Sequence, residues 1–397
     1  MLLGRRQFLL GSVSAALAGC MKPSASTYLA KVPDRNDPGL ERAADYLISK
    51  QAPDGSWISD LYGMFKFGDA LTPLCTSALL AAAPARRAPI AKAAAWLAAF
   101  AKDGTIEEPK FGFEFAAYIA ALSVTALSHP QRADQRVARD AWLKYLRERQ
   151  LTENLGWQPE DWQYGGWGYC RVVPRKHRPG DLLTPPLTES NLSGTTYALA
   201  ALKDAGVPRD DPAFKKAVVF VQRCQNWPDD EKSRDPRFDD GGFFFIYDDP
   251  VRNKAGVAGQ DRDGRDRYHS YGSMTVDGLR CLDMCGQVES PRRRAAAEWL
   301  RTRFHPAQHP GAYAERRKVD QEAVYYYYAA SLAQSSLESW SIKQGDKEVT
   351  WRKALSESIR SMQQPDGAWI NRVDLVRENE PLVATSFAMI ALAKLES

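Results

Sequence analysis

One segment of the chain occurs twice, once near each end. Residues 42–57 read RAADYLISKQAPDGSW, and residues 353–369 read KALSESIRSMQQPDGAW. Each copy is an amphipathic stretch that ends in glutamine and continues into a Pro-Asp-Gly turn and a tryptophan. Repeated units of this size bury their apolar faces against neighbouring units, so the repeat limits the fold to a stacked or ring-shaped array.

Weaker copies of the unit lie between the two strong ones. Each has a charged amphipathic segment followed by glycine and an aromatic residue, at 92–101 with Gly112 and Phe113, 139–150 with Gly166 and Trp167, 215–225 with Gly242 and Phe243, and 293–304 with Gly311 and Tyr313. A second type of segment, dense in Ala, Leu, Ser and Thr, follows each turn, at 69–83, 113–128, 191–205, 271–285, 319–337 and 381–396. The pattern predicts six outer helices that alternate with six inner ones.

The two types of segment differ in where they carry charge. Outer segments are charged on one face, as at Arg139, Asp140, Lys144 and Arg147, which is typical of helices that meet water on one side. Inner segments are apolar or small nearly all round, so they must be buried between neighbours. An open solenoid needs polar capping repeats, whereas here the first and last repeats match each other best. We predict an all-α fold, a single (α/α)6 ring of six helical hairpins around a central cavity, over residues 38–397.

The N-terminal residues have the features of an export signal. An arginine pair, Arg5-Arg6, precedes an apolar stretch that ends in Leu-Ala-Gly-Cys20. These patterns resemble a twin-arginine signal and a lipobox, whose cysteine receives a lipid. The apolar run is about half of the roughly 20 residues that span a bilayer. We predict a signal peptide over 1–19, lipid on Cys20, a linker over 20–37 and a lipid-anchored, extracytoplasmic location in a bacterial cell envelope.

The charge and the cysteine content of the chain bear on two questions, whether it binds nucleic acid and whether it forms disulfides. The 53 basic residues include the two of the signal, which leaves 51 against 49 acidic residues in the mature chain. No basic stripe stands out, so nucleic acid is not expected as a partner. Cys20 is assigned to lipid, and the odd number of remaining cysteines argues against a complete disulfide framework. We expect these to be small buried side chains: Cys75, Cys170, Cys224, Cys281 and Cys285.

The repeats resemble the Gln-Trp motif of squalene-type terpene cyclases, which recurs in protein prenyltransferase β subunits. The resemblance covers roughly residues 38–397 and extends to bacterial proteins with prenyltransferase and squalene-oxidase repeats. It implies that Gln51 and Gln363 tie their outer helix to its neighbour, while Trp57 and Trp369 stack on the chain. It implies the toroid fold of those families, but it does not imply their chemistry, because one fold serves many functions.

The motifs behind that chemistry are missing. Class II terpene cyclases protonate their substrate with Asp-x-Asp-Asp, which does not occur in this sequence. Protein prenyltransferases bind zinc through Asp-x-Cys and a later histidine. His269 resembles that histidine, but the third inner segment begins Glu189-Ser-Asn, without Asp-x-Cys. No cofactor or metal is therefore predicted, and His269 is left with a structural, a catalytic or binding, or a zinc-binding role.

Acidic residues stand near the start of five of the six inner segments: Asp69, Glu114, Glu189, Asp320 with Glu322, and Glu380. Carboxylates at helix N-termini are stabilised by the helix dipole, which is the structural interpretation. In a ring, however, all inner helices begin at the same end, so these carboxylates would surround one mouth of the cavity. Such a ring would suit a cationic or hydroxyl-rich ligand, and paired carboxylates also serve glycoside cleavage.

Other features are expected at the same mouth. Two long insertions, 168–188 and 244–267, are either solvated surface loops or a lid. Four consecutive tyrosines, Tyr325–Tyr328, cover most of a helical turn, so one or two of them should face the cavity. Asp277 is an acid within an apolar inner segment, and Arg280 three residues on is a candidate structural partner for it.

Two classes of function remain open, and whether the protein is an enzyme is undecided. One is a membrane-tethered binding or scaffold protein that holds an apolar or hydroxyl-rich ligand, or a partner, in or at the mouth of the cavity. The other is an enzyme with an acid/base site there, terpene cyclase-like, prenyltransferase-like or carbohydrate-active. The candidate catalytic residues are His269, Tyr271, Asp277, Asp320 and Glu322. The candidate residues for binding at the mouth are Asp69, Glu114, Glu189, Tyr325 and Glu380.

Overall fold

The computed structural model of the protein describes residues 37–178, 185–228 and 230–396. The predicted signal peptide, Cys20 and the linker up to residue 36 lie outside the described residues. The described chain is mostly helical. Its helices are α1 (Pro38–Ser49), α2 (Leu71–Ala82), α3 (Arg87–Ala98), α4 (Ala116–Ser128), α5 (Arg136–Arg147), α6 (Leu192–Asp204), α7 (Pro212–Arg223), α8 (Gly272–Met284), α9 (Pro291–Arg303), α10 (Lys318–Glu322), α11 (Tyr325–Ala333), α12 (Trp351–Ser361) and α13 (Pro381–Leu395).

Several outer helices begin with the same local signal, a capping side chain followed by proline. Asp37 accepts hydrogen bonds from the backbone N–H groups of Gly39 and Leu40 at the start of α1. Asp211 and Ser290 cap α7 and α9 in the same way, each directly before a proline. A capping oxygen satisfies N–H groups that have no partner in the helix, and proline needs no such partner at the first position.

Helices of two kinds alternate along the chain, as their charge patterns indicate. In α5 only one face is buried, at Ala138, Ala141, Trp142, Tyr145 and Leu146. In α13, by contrast, twelve of the fifteen residues are buried. The inner helices contact one another in the order α2, α4, α6, α8, α11 and α13, and α13 packs in turn against α2. The last inner helix, α13, therefore contacts the first, α2.

The repeated glutamines and tryptophans make the same contacts in successive units. Each glutamine Nε2 donates to the glycine carbonyl of its own turn and to a carbonyl at the start of the next outer helix. These pairs are Gln51 with Gly55 and Pro89, Gln150 with Gly165 and Ala213, Gln225 with Gly241 and Arg292, and Gln363 with Gly367 and Gly39, all at 2.8–2.9 Å. Trp57 and Trp369 each donate from the indole N–H to their own outer helix, at Leu47 and Ile359.

The turn glycines are required by both conformation and space. Gly55 has φ of +97° and Gly367 has φ of +94°, in the left-handed region that L side chains rarely adopt. A Cβ atom at Gly55 would lie 2.6 Å from the carbonyl oxygen of Lys92, and one at Gly367 would lie 2.5 Å from that of Arg42. The Pro-Asp-Gly turn thus lets each unit approach the backbone of the next.

Short antiparallel strand pairs lie in the connections between the described helices. They are β1 (Ala101–Lys102) with β2 (Thr105–Ile106), β3 (Trp167–Gly168) with β4 (Ser190–Asn191), β5 (Val257–Gln260) with β6 (Asp266–Tyr268), and β7 (Ser341–Gln344) with β8 (Lys347–Thr350). The pair β5–β6 occupies the mixed-charge part of the 244–267 insertion, with Val257 opposite Tyr268. All five described cysteines are free thiols, and all but Cys285 are fully buried. Within the described ranges, no helix has the length and apolar character needed to cross a membrane.

The fifth inner segment differs from its prediction. The continuous helix expected over 319–337 is divided into α10 and α11, with a break at Ala323 and Val324. The break coincides with a contact from the next unit, because the side chain of Glu378 accepts hydrogen bonds from the backbone N–H groups of Tyr326 and Tyr327. A carboxylate in this position starts a new helix.

Candidate functional site

The beginnings of the inner helices surround one cavity of about 410 Å³. Residues of the N-caps or first two turns of all of these helices line it: Leu71 and Leu74 on α2, Phe115 and Tyr118 on α4, Ser193 and Tyr197 on α6, Tyr271, Ser273 and Met274 on α8, Val324 and Tyr327 on α11, and Val383 and Phe387 on α13. All of these helices therefore begin at the same end of the array. The connections that precede these helices lie at that end, and we call this end the mouth of the cavity.

Both long insertions contribute to this lining. Tyr169 comes from the first, and Phe245, Arg252 and Lys254 come from the second. Residues 179–184 of the first insertion lie outside the described part, and its role as a lid stays a prediction. The connections before α2 and α13 complete the mouth with Met64, Phe65 and residues 375–378.

The cavity wall is dominated by aromatic rings in mutual contact. The rings of Tyr118 and Tyr197 meet edge to face at 4.7 Å between centroids, and those of Tyr327 and Phe387 do so at 5.5 Å. Burial raises the pKa of Tyr169 to about 12, and it raises the pKa of Tyr197 and of Tyr327 well above 10. The hydroxyls are therefore neutral near pH 7. The interior presents apolar surface with a few neutral hydrogen-bonding groups, a composition common to ligand pockets.

Asp277 lies behind this wall, fully buried on α8. Its carboxylate accepts hydrogen bonds from the hydroxyls of Tyr327 and Ser331, each at 2.5 Å, and Arg280 Nη1 stands 3.9 Å away. Burial raises the pKa of Asp277 to about 6, although Arg280 and the two hydroxyl donors act in the opposite direction. Asp277 thus reaches the cavity only through the phenol of Tyr327. Arg280 also donates to the hydroxyl of Ser331 at 3.0 Å, so Ser331 joins Asp277 and Arg280 in one hydrogen-bonded network.

Glu378 is the carboxyl group that lines the cavity directly. Its oxygens accept from the backbone N–H groups of Tyr327 at 2.7 Å and Tyr326 at 3.0 Å, and from Asn371 Nδ2 at 3.0 Å. The side chain is fully buried, and burial raises the pKa of Glu378 to about 7 against the effect of these donors. A carboxyl with that pKa exchanges protons near neutral pH, which is the property of a general acid or base.

The residue before Glu378 is held in an unusual conformation. Arg377 has φ of +69°, in the left-handed region, where a non-glycine residue costs of order 1–3 kcal/mol. Its guanidinium lies 4.2 Å from the ring centroid of Tyr62. Arg377 and Glu378 both line the cavity. The strained turn therefore presents a cation and an acid at the mouth on adjacent residues.

The predicted ring of acids is present at this end, but its members are paired. The pairs are Glu114 with Arg171, Glu189 with Arg252 at 3.3 Å, and Asp320 with Arg317 at 3.5 Å and Lys254 at 3.9 Å. Of the other three, Glu322 borders a separate depression and Asp69 and Glu380 accept hydrogen bonds at helix starts. Asp69 accepts from the N–H of Ala70, and burial raises the pKa of Asp69 to about 6; Glu380 accepts from Leu382 N–H at 3.3 Å and from Ser59. The paired cations Arg252 and Lys254, rather than these acids, line the cavity.

The structure separates the other predicted site residues. Tyr271 lines the cavity, whereas His269 does not, and burial lowers the pKa of His269. Glu322 and Tyr325 border a second depression of about 640 Å³, where the Tyr325 hydroxyl donates to the carbonyl of Pro306 at 2.7 Å. Of the four consecutive tyrosines, Tyr327 is the one in the cavity wall. His269, Asp320 and Glu322 are therefore not brought together with Tyr271 around the cavity.

Sequence reasoning missed Glu378 and His309. Glu378 lies in an acid-containing tract beside Glu380, but nothing local indicates that it reaches α11. His309 is fully buried and accepts from the N–H of Ser273 at 2.7 Å, at the start of α8. Its ring therefore lies beside the start of α8. Among the described residues, no three His, Cys, Asp or Glu side chains converge closely enough to hold a metal ion.

Comparisons with known proteins bear on the fold. No family model matches the sequence, and no curated protein matches it. A protein from Actinoplanes aligns over 90% of this chain and 99% of its own, with 15% identity and a TM-score of 0.54. The type II terpene cyclase MstE from Scytonema, in complex with geranylgeranyl dihydroxybenzoate, aligns over 90% of this chain and 96% of its own, with 10% identity and a TM-score of 0.53.

The likeness to these structures shows the fold alone, because the identities are low. The chain has an alpha-alpha toroid fold of the terpene cyclase type. The fold that the resemblance in the repeats implies is thereby confirmed.

Proposed function

We propose that the protein is an exported, lipid-anchored toroid of six helical hairpins with Gln-Trp-type repeats, which binds an apolar ligand in the cavity at the inner-helix N-termini. The cavity carries the proposal, because most of its lining side chains are aromatic or aliphatic and only a few are charged. The export signal and the lipid on Cys20 rest on the sequence.

The contacts of the repeats support the six-hairpin architecture. Four glutamines bridge successive outer helices with the same pair of hydrogen bonds. The last of these, from Gln363 to Gly39, joins the final unit to the first. The inner helices contact each other in cyclic order. The bond from Gln363 to Gly39 and the contact between α13 and α2 are expected of a closed ring and not of an open solenoid, whose first and last units do not meet.

The lining indicates the chemistry of the ligand. A volume of about 410 Å³ falls within the usual range of pockets for small molecules. Aromatic walls suit an extended apolar body, and the cations Arg252, Lys254 and Arg377 at the mouth suit a polar or anionic end. The Scytonema cyclase binds an amphiphile of this description, geranylgeranyl dihydroxybenzoate. A hydroxyl-rich ligand, which the ring of acids suggested, is less favoured because three of those acids, Glu114, Glu189 and Asp320, are paired with cations and none of the ring lines the cavity.

Native mass spectrometry of the mature protein, purified from its own envelope, tests the proposal. We expect a co-purifying apolar or amphiphilic molecule, which dissociates on unfolding. Stoichiometric zinc, or a protein with nothing bound that also fails to bind an amphiphilic probe, would contradict it.

A cavity-filling substitution gives a second test with a matched control. Val383→Trp places a large ring in the cavity wall, whereas Val137→Trp makes the same change at an exposed site on α5. We expect Val383→Trp to abolish the fluorescence enhancement of 1-anilinonaphthalene-8-sulfonate and Val137→Trp to retain it. Thermal unfolding of both variants shows that each is folded. Equal fluorescence enhancement in the two variants would show that the probe binds outside the cavity.

An acid/base enzyme is a second candidate, favoured by one specific arrangement. Tyr327 connects two buried carboxyl groups, since its N–H donates to Glu378 and its hydroxyl donates to Asp277. Groups with raised pKa values in a cavity are typical of active sites. Incubation with envelope lipid and polysaccharide extracts, followed by mass analysis, distinguishes the candidates. An enzyme converts a compound that Glu378→Gln leaves unchanged, whereas a binding protein returns its ligand with the same mass.

A further inference from the structure

One hydroxyl group in the cavity wall has no hydrogen-bond partner. Ser273, the second residue of α8, lines the cavity and is only 1% exposed to solvent. Its Oγ atom makes no hydrogen bond within the described part of the chain. A buried polar group without a partner destabilises a fold, so native proteins rarely keep one without a reason.

The other six hydroxyls of the cavity lining all have hydrogen-bonding partners. The pairs are Tyr118 with Tyr197, Tyr169 with Ser193, Tyr271 with the backbone N–H of Lys254, and Tyr327 with Asp277. These contacts complete the polar part of the wall without Ser273. Its hydroxyl is therefore available to a molecule inside the cavity.

The repeat does not require a serine at this position. Four inner helices share a threonine whose hydroxyl accepts from the backbone N–H of the aromatic residue in the preceding turn. The pairs are Thr72 with Trp57, Thr195 with Trp167, Thr275 with Phe243, and Thr385 with Trp369, at 3.0–3.1 Å. The residue two positions before each threonine lines the cavity: Ala70, Ser193, Ser273 and Val383. Since alanine and valine occupy the same place in other units, the fold does not need the Ser273 hydroxyl.

His309 fixes the backbone that carries this hydroxyl. Its Nε2 atom accepts from the N–H of Ser273 at 2.7 Å, and its Nδ1 atom lies 3.2 Å from the hydroxyl of Tyr313. Burial lowers the pKa of His309 to about 3, so the ring is neutral near pH 7 and Nε2 keeps the lone pair that this contact uses. The start of α8 is thus held in place independently of any ligand.

The cations of the lining do not call for an anion at α8. Two of them, both in the connection before α8, are ion-paired: Arg252 with Asp249 at 2.5 Å and Glu189 at 3.3 Å, and Lys254 with Asp320 at 3.9 Å. The third, Arg377, packs on the ring of Tyr62 in the connection before α13. Burial of a charge is costly unless the charge is paired. An uncharged group therefore suits the surroundings of Ser273 best.

We propose that Ser273 binds the polar end of the cavity ligand, and that this end is an uncharged oxygen group, a hydroxyl or a carbonyl. The inference rests on the proposed function and specifies its ligand, an apolar body with one neutral oxygen group. A serine hydroxyl donates to a carbonyl, and it donates to or accepts from a hydroxyl. The aromatic and aliphatic side chains of the wall bind the rest of the molecule.

Displacement of 1-anilinonaphthalene-8-sulfonate by compounds with one ten-carbon chain tests the proposal. The protein is the chain from residue 20 onward carrying Cys20→Ser, which retains every described residue. The ratio of the 1-decanol and decane affinities is measured in this parent and in Ser273→Ala. We expect the substitution to weaken 1-decanol about fivefold, the effect of one hydrogen bond of about 1 kcal/mol, and to leave decane unchanged.

Ser123→Ala is the matched control. Ser123 on α4 is also fully buried with an unpartnered hydroxyl, but it is not part of the cavity lining. This variant should keep the affinity ratio of the parent. Both variants should unfold at no lower temperature than the parent when no ligand is present, because neither loses a hydrogen bond.

Four results would overturn the role of Ser273. They are an unchanged affinity ratio in Ser273→Ala, an equal change in Ser123→Ala, a lower unfolding temperature of Ser273→Ala alone, and tighter binding of decanoate or decylamine than of 1-decanol by the parent. The last would mean that the site takes a charged group. If the compounds displace the probe but the ratio does not change, the proposed function stands without this inference. If none of them displaces the probe from the parent, both fail.

Discussion

Replacement of Glu378 by glutamine should remove a pH-dependent part of the stability of the protein. Glu378 is fully buried beside the start of α11, and burial raises its pKa from the ordinary 4.5 to about 7. Glutamine has nearly the same size but does not ionise. The variant thus keeps the packing of the site and loses only its titration, apart from one accepted hydrogen bond.

The direction in which stability changes with pH follows from the direction of the pKa change. A carboxyl whose pKa is higher in the folded chain holds its proton more tightly when folded. The contribution of Glu378 to stability is therefore complete below about pH 4.5, is lost as pH rises from 4.5 to about 7, and stays lost above that. At about 1.4 kcal/mol for each tenfold change in proton affinity, the loss is about 3 kcal/mol.

Chemical denaturation between pH 4.5 and 8.5 measures this quantity. We expect the free energy of unfolding of Glu378→Gln, relative to the parent, to become more favourable by about 3 kcal/mol across the range. Glu322→Gln makes the same chemical change at an exposed side chain and should leave the pH profile unchanged. Parallel profiles for the parent and Glu378→Gln would refute the reasoning, since they would mean that the carboxylate is as stable in the fold as in water.

Two further outcomes follow from the contacts described, and a third follows from the N-terminal sequence. Asp277→Ala should lower the free energy of unfolding by about 2–4 kcal/mol in denaturation experiments, because the hydroxyl of Tyr327 loses a buried acceptor. Gln225→Ala should cost about 1–3 kcal/mol by the same measurement, since two buried carbonyls lose their donor, whereas the exposed Gln364→Ala should cost less than about 0.5. Cys20→Ser should abolish metabolic labelling with a fatty acid and release the chain from the membrane fraction; a labelled variant would refute lipidation at this cysteine.

Much of the helical architecture was predictable because it depends on local pattern. The segments expected at 191–205 and 271–285 correspond to α6 and α8 within one residue at each end. The positive φ of Gly55 and Gly367 could be read from the Pro-Asp-Gly turn. These features follow from the residues of a single unit and its immediate neighbour.

The candidate site was harder to predict because it depends on contacts between units. Glu378 accepts a hydrogen bond from the start of α11, although it lies in a connection of the next unit. The spacing of residues along the sequence does not indicate that contact. The break before Tyr325 has the same origin, so the expected helix over 319–337 was too long. The acids at the mouth were recognised, but their partners were not, since Arg252 and Lys254 come from an insertion without helical pattern.

The join between the first and last units has a consequence for how the chain tolerates rearrangement. Arg360 on α12 binds Asp37 at 3.0 Å and also binds Glu396, so both ends of the described chain are held by one side chain. A molecule of this form has no terminal unit from which to fray. New termini cut into an outer connection, with the old ones linked, should be accepted, whereas deletion of either end would leave two faces without a partner.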